Sequence, residues 1–408
     1  MNFEQALQKL TVLGQTHLLS GFENLTENEK EHLLNQIENL SFEGLSVLNA
    51  EPGEEKAPVY EPLVALTVEE IDENRAEYEK IGLETIRAGK TAAVLLAGGQ
   101  GTRLGSDHAK GLYDIGVTKP LYIFQCLVNN LKAVTDKAGA FIPLYVMTSE
   151  INNRETVAFF KEHDYFGYNP GYIRFFVQDM AVCTDFDGKV LLNGKGSIAS
   201  SPNGNGGWFH SLKKAGFLDE LKKNGVEYLS AFAVDNVLQK INDPAFVGAT
   251  VKTGVDVGAM VVRKADPLEK VGVICKKNGR PSIVEYYEMT DEMTSLRDEE
   301  GRLLYNYGVI LNYLYKLSKL EELDNGKMAP HIVKKKIPFM AEDGTLVSPE
   351  EPNGYKYELL ILDQVEMTDS CLPFEVLRED AFAPIKNPTG VDSVESAREY
   401  LRKKGVEL

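Results

Sequence analysis

One short apolar run, closed by a cluster of glycines, constrains this chain more than any other stretch. It lies in Thr91–Pro120, TAAVLLAGGQGTRLGSDHAKGLYDIGVTKP. Ala92 to Leu96 is too short for an ordinary helix and is bounded by glycine, which predicts a buried strand of a parallel sheet. Gly98, Gly99, Gly101 and Gly105 then fall in a single loop. Glycines this dense let backbone N–H groups approach a ligand that a Cβ would hold away, and phosphate is the usual occupant of such a cradle. Arg103 and Lys110 add positive charge, so the stretch implies a bound polyphosphate. Two familiar phosphate loops do not fit. Counting G-x-G-x-x-G from Gly99 and Gly101 puts Leu104 where the third glycine belongs, and Lys110 follows Ala109 with no Gly-Lys-Ser/Thr nearby.

At 408 residues the chain is long enough for one large domain and one or two smaller ones. The expected division is a helical region over 1–89, a catalytic nucleotide- and sugar-binding domain over 90–340, and a small C-terminal domain over 341–408. A formal net charge of −17 argues against a nucleic-acid surface and favours solubility. Cys126, Cys183, Cys275 and Cys371 form no C-x-x-C pair and read as reduced, packed thiols. MNFEQALQKL has neither a basic leader nor an apolar core, and no apolar run approaches the ~18 residues of a membrane span. The histidines never fall in an H-x-x-x-H spacing. A cytoplasmic protein with no membrane partner is expected, and the sequence assigns no oligomeric state.

Thr26 and Glu29 have capping-box spacing, with Leu33, Leu34, Ile37 and Leu40 following at helical intervals. Asn49 to Pro62 is proline-bearing and reads as an extended connector. Thr67 and Glu70 repeat the capping signature before a helix with Ile71, Tyr78 and Ile86 facing inward, which Gly89 is placed to end. Helices are then expected over Leu121–Val134, Asn152–His163 and Gly206–Asn224. Strands are expected over Ile142–Met147, Ile173–Val177 and Tyr228–Val234. This alternation predicts an α/β fold with a largely parallel sheet, whose ligands gather at the strands' carboxyl ends. Val257–Val262, Val271–Cys275 and Ile283–Tyr286 are expected to form an additional sheet for a second substrate. Asp392 and Glu395 would cap a terminal helix.

Asp235 ends the strand Ala231–Val234. A carboxylate there suits Mg²⁺, which one or two carboxylates hold together with phosphate oxygens, or else it caps the next turn. In SPNGNGGWFHSL, Gly204, Gly206 and Gly207 lead into a helix and would expose backbone donors there.

LAGGQGTRLG followed by KGLYDIG resembles the nucleotide loop of the UDP-N-acetylhexosamine (UDP-N-acetylglucosamine) pyrophosphorylase family, and the likeness extends over nearly the whole chain. It implies a Rossmann-like, GT-A-like nucleotidyltransferase fold that takes UTP and a sugar 1-phosphate, with Mg²⁺ as cofactor. By the same likeness Leu96, Ala97, Gly98, Gly99 and Lys110 would bind nucleotide, and VDN would make Asp235 the metal ligand. SPNGNGG is similar to the family's P-D-G-N-G-G with Asn203 replacing the aspartate. It would set Gly204 against the base or ribose and Asn205 on the sugar.

Gln178 matches the family's uracil-reading glutamine, although the end of a solvated strand is the alternative. Gly272 in VGVIC and Glu285–Tyr286 in IVEYYE match sugar-gripping residues. Asn306-Tyr-Gly-Val309-Ile310 departs from N-x-G-N-I at Val309, which bears on the preference for an N-acetyl sugar. Lys356 and Lys386 match lysines that reach the UTP phosphates and the sugar phosphate, and Arg103, Lys110 and Lys386 would be catalytic. The reaction implied is uridylyl transfer from UTP to N-acetylglucosamine 1-phosphate; the same reaction on glucose or galactose 1-phosphate, a UDP-sugar-consuming glycosyltransferase and a non-catalytic sensor are the alternatives.

Overall fold

The computed structural model describes residues 1–48, 57–324, 328–341 and 343–408. They divide into two compact units, one of Met1–Lys56, Gln178–Trp208 and Lys327–Ile361, the other of Ala57–Val177, Phe209–Gly326 and Leu362–Leu408. Residues 49–56 of the expected connector lie outside the described residues.

The larger unit is built on a ten-stranded sheet. Its parallel half runs in the spatial order Ile173–Val177, Leu144–Thr148, Thr91–Leu96, Tyr228–Ala233. Thr91–Leu96 is buried at every position, as a central parallel strand covered on both faces must be. Beyond Tyr228–Ala233 the sheet turns antiparallel through Tyr307–Lys316. Val257–Arg263, Val273–Lys277 and Arg280–Val284 follow, with Tyr60–Pro62 on the edge and Cys371–Glu375 parallel to Val257–Arg263. The three runs expected to form a separate sheet therefore extend the central one. Val273–Lys277 and Arg280–Val284 form a local hairpin, but the pairings that join these runs to the central sheet reach distant segments, where local pattern is silent.

Ala93 and Leu95 face a core filled by Ile123, Phe124, Leu127 and Leu131 of the helix Ile123–Ala138 and by Phe160 of Asn153–Glu162. The helix Val68–Arg87 begins at the expected Thr67–Glu70 capping box, and Gly89 follows its end at φ +70°. It lies tightly on Pro244–Thr253: a Cβ on Gly82 would stand 1.9 Å from Pro244 O, and one on Gly248 1.8 Å from Tyr78 O. The expected helix Gly206–Asn224 is interrupted. It forms as Trp208–Lys214 and Phe217–Lys223, broken by Gly216 at φ +83°. Ser393, and not Asp392, caps the terminal helix Val394–Lys403, because its hydroxyl reaches the Ser396 N–H.

The smaller unit packs helices Phe3–Val12 and Glu27–Asn39 on Val182, Val190 and Ile198. The Thr26–Glu29 capping box is formed, and Leu33 and Ile37 are buried as their spacing requires. A three-stranded antiparallel sheet carries Lys356 on Gly354–Glu358. Among the described residues no helix is long and apolar enough to cross a membrane, and the four cysteines are unpaired.

Candidate active site

The glycine loop leaves the carboxyl end of Thr91–Leu96 and folds back on itself. Gly101 N–H donates to His108 O at 2.9 Å, and Lys110 N–H to Gly99 O at 3.1 Å. Gly105 takes the left-handed backbone at φ +74°. At Gly99 an added Cβ would meet nothing within 4 Å, so the loop keeps open space on that side. Asn152 of the neighbouring βα connection and Glu155 in the first turn of the helix that follows hold it. Buried Asn152 accepts from Ser149 N–H at 2.8 Å and donates to Ala97 O at 3.1 Å. Glu155 accepts from Ala109 N–H at 2.6 Å and pairs with His108 at 2.9 Å.

Asp235 follows the strand beside this loop, since Ala233 and Leu96 are parallel partners. Lys110 Nζ stands 3.7 Å from Asp235 Oδ2. Burial lowers the Lys110 pKa below the usual lysine value, opposed by the Asp235 carboxylate and reinforced by the charges of Lys386 and Arg103. Lys110 thus feels one carboxylate and two further cations at this end of the sheet. Lys386 Nζ is held by Asp392 at 2.9 Å. Asp235 O accepts from Ile385 N–H at 2.8 Å.

Among the described residues no group of three or more His, Cys, Asp or Glu side chains could hold a metal ion by itself. A single carboxylate beside a phosphate cradle does fit Mg²⁺, which commonly takes one or two carboxylates and completes its shell with substrate phosphates and water.

A second cluster lies at the same sheet end, because Tyr307–Lys316 runs antiparallel to Tyr228–Ala233 and its first residues reach the carboxyl end of that strand. Val309 N–H donates to Gly272 O at 2.9 Å. A Cβ on Gly272 would stand 3.6 Å from a Val309 methyl and 3.7 Å from the Glu285 carboxyl carbon. Gly272, Glu285 and Val309 are thus brought together. Tyr286 is exposed and stacks edge-on against Tyr287 at 5.2 Å.

In the smaller unit Gln178 is buried, which rules out a solvated strand end. Gly204 has φ +91°, and a Cβ there would stand 2.3 Å from Leu359 O, so its own chain already requires the glycine. One donor expected at this turn is taken, since Gly206 N–H bonds Leu359 O at 2.8 Å, and the Asn205 Oδ1 acceptor is engaged by Ile361 N–H at 3.0 Å. Lys356 brings its charge near the buried Cys183 thiol, whose pKa burial raises.

Asn152 and Glu155 hold the loop and Asn236 the segment beside Asp235 without being singled out by the sequence, and Asp392, expected only as a helix cap, holds Lys386. For Asn152 and Asn236 the local signal is a polar residue just past a strand end, where open α/β sheets gather ligands.

A mainly parallel sheet with an open glycine loop, Lys110 and Asp235 at its carboxyl end is an arrangement that suits a nucleotidyltransferase. Residues 55–406 match the family described as UTP--glucose-1-phosphate uridylyltransferase. The chain is 35% identical to the UDP-N-acetylglucosamine pyrophosphorylase of Saccharomyces cerevisiae, over 95% of this chain and 87% of that protein. It is 36% identical to the UDP-N-acetylglucosamine diphosphorylase 2 of Arabidopsis thaliana, over 97% and 82%. The crystal structure of a putative UDP-N-acetylglucosamine pyrophosphorylase from Entamoeba histolytica aligns with TM-score 0.76 at 34% identity, covering 85% of this chain and 88% of that one. The chain belongs to the UDP-N-acetylglucosamine pyrophosphorylase group of this uridylyltransferase family.

Proposed function

We infer that the protein is a UTP:sugar-1-phosphate uridylyltransferase, making a UDP-sugar and pyrophosphate. The convergence of Lys110, Arg103, Lys386 and Asp235 beside the glycine loop carries this reading. The reaction brings two polyanions together, and a site that does so has to offset their mutual repulsion.

An oxygen of the sugar phosphate attacks the α-phosphorus of UTP in line. The new P–O bond forms as the bond to the β-phosphate oxygen breaks, and that electron pair leaves with pyrophosphate. The attacking phosphate is already an anion at neutral pH, so no protein nucleophile or base is needed. Catalysis consists of positioning and charge neutralisation. The loop N–H groups and Lys110 take the UTP phosphates, and Lys386 with Arg103 meets the charge shared by sugar phosphate and α-phosphate. Asp235 would hold Mg²⁺, which supplies further neutralisation on the triphosphate when bound. Gln178, Gly204 and Lys356 serve the nucleotide. Asn205, Gly272, Glu285, Tyr286 and Val309 serve the sugar.

The names of the relatives support N-acetylglucosamine 1-phosphate as the second substrate. Val309 favours a second reading, glucose or galactose 1-phosphate, because an aliphatic side chain beside Gly272 offers no hydrogen bond to an acetamido group. Turnover measured against Mg²⁺ in wild type and Asp235→Asn tests the assignment. The expected result is metal-dependent activity that the substitution removes; metal-independent turnover, or full activity in the variant, contradicts the role given to Asp235.

A further inference from the structure

We propose that Asn236 is a positioning residue that holds Lys386 in register with Asp235. The inference rests on the reading above, in which Lys386 acts on phosphate.

The Asn236 side chain is buried and bonded at both ends. Nδ2 donates to Ala381 O at 2.7 Å, and Oδ1 accepts from Ala383 N–H at 2.9 Å and Leu238 N–H at 3.2 Å. Around it the backbones of two distant segments form a short antiparallel ladder. Asn236 bridges Pro384, Ile385 N–H donates to Asp235 O at 2.8 Å, and Val237 N–H to Ala383 O at 3.4 Å. Pro384 has no N–H and cannot supply a rung of its own. The Asn236 carboxamide, which donates and accepts as a peptide does, supplies bonds on the amino-terminal side of that gap.

On the far side Asp392 closes the segment. Its carbonyl accepts from the N–H groups of Lys386 and Asn387 at 2.7 and 3.1 Å, with its own backbone left-handed at φ +52°. Lys386 therefore sits between two anchors, and the Asn236 carboxamide, beside the Ile385 N–H bond to Asp235 O, ties it by side-chain bonds to the strand end that carries Asp235. The charge of Lys386 is one of those that lower the Lys110 pKa. A shift of the lysine segment would change the geometry at the reacting phosphates.

The test is a double-mutant cycle on pyrophosphate release with Asn236→Ala, Lys386→Ala and the pair. A misplacement on the order of 1 Å costs about 10²-fold in rate. Asn236→Ala is accordingly expected to lower kcat about 10²-fold while KM for UTP changes little. In the Lys386→Ala background it should cost nothing more, because the two act as one unit. Losses that multiply independently would overturn the proposal. Thr250→Ala, which removes a buried hydroxyl bonded within its own helix to Phe246 O, controls for lost stability and should leave kcat unchanged. If Asn236→Ala does not fold, Asn236→Asp replaces it in the same cycle, keeping the acceptor and losing the donor. A readout independent of turnover is the acetylation rate of Lys386, followed by mass spectrometry against Lys119. It should rise in the Asn236 variant, and an unchanged rate overturns the proposal. Wild-type protein inactive on every sugar 1-phosphate would refute the functional reading, while the acetylation rates would still decide the role of Asn236.

Discussion

Lys110 Nζ lies 3.7 Å from Asp235 Oδ2, and both side chains are largely shielded, at 17% and 25% exposure. The two come from different strand ends, and parallel pairing of Thr91–Leu96 with Tyr228–Ala233 brings them together. A partly exposed pair of this kind contributes about 1 kcal/mol or less to stability. Its removal should cost activity far more than fold. Lys110→Ala and Asp235→Ala are each expected to lower kcat by at least about 10²-fold, the scale for losing one electrostatic contact to a transition state. The melting temperature should move by only a few degrees, as about 1 kcal/mol implies for a domain of this size. Steady-state kinetics with thermal melts check both halves of the statement.

Two glycine substitutions separate cradle from packing. A Cβ at Gly99 meets no atom, so Gly99→Ala should fold as well as wild type. It should raise KM for UTP about 10-fold by occupying space that the phosphates need. At Gly82 alanine would gain about 1 kcal/mol in helix propensity. Its Cβ, however, would stand 1.9 Å from Pro244 O. Forcing the helices apart costs typically 1–3 kcal/mol or more, so Gly82→Ala should lower the melting temperature. Equal melting temperatures for the two variants would contradict this division.

What the sequence displays is what short-range chemistry controls. The capping boxes at Thr26–Glu29 and Thr67–Glu70 form because a hydroxyl and a carboxylate three residues apart meet whatever the rest of the chain does. Ile173–Val177 is a strand with the expected bounds, and Ala92–Leu96 is buried along its length. The placing of Asp235 beside the glycine loop was legible because glycine density and a strand-end carboxylate are local facts. The bonds from Asn236 to Ala381 and Ala383 were not, since nothing near Asn236 announces a partner so distant. Nor did periodicity distinguish strands that extend the central sheet from strands that start another. Gly216 interrupts a helix that the apolar spacing alone would carry through.

Val309 provides a specificity test. One of its methyl groups lies 3.6 Å from where a Cβ on Gly272 would stand, and the Glu285 carboxyl carbon 3.7 Å from the same point. Val309→Asn adds a carboxamide able to bond an acetamido group, and one such hydrogen bond discriminates by about 1–2 kcal/mol. The ratio of kcat/KM for N-acetylglucosamine 1-phosphate over glucose 1-phosphate should rise about 10-fold. An unchanged ratio would place Val309 away from that substituent.

The thiols give a pH prediction. Burial pushes Cys126 and Cys275 up to about 12. A raised thiol pKa depletes thiolate, the reactive form, at every pH below it. Native protein treated with iodoacetamide at pH 8 should therefore leave both unmodified, and denaturant should expose them. Rapid modification of either in the native state would contradict their burial.

The most direct test of the central claim is pyrophosphate release from UTP and Mg²⁺ with N-acetylglucosamine, N-acetylgalactosamine, glucose and galactose 1-phosphates in turn. The account predicts release that depends on the sugar phosphate, with a UDP-sugar formed in equal amount and N-acetylglucosamine 1-phosphate turned over fastest. No release with any of the four, from protein that still binds UTP, would contradict it.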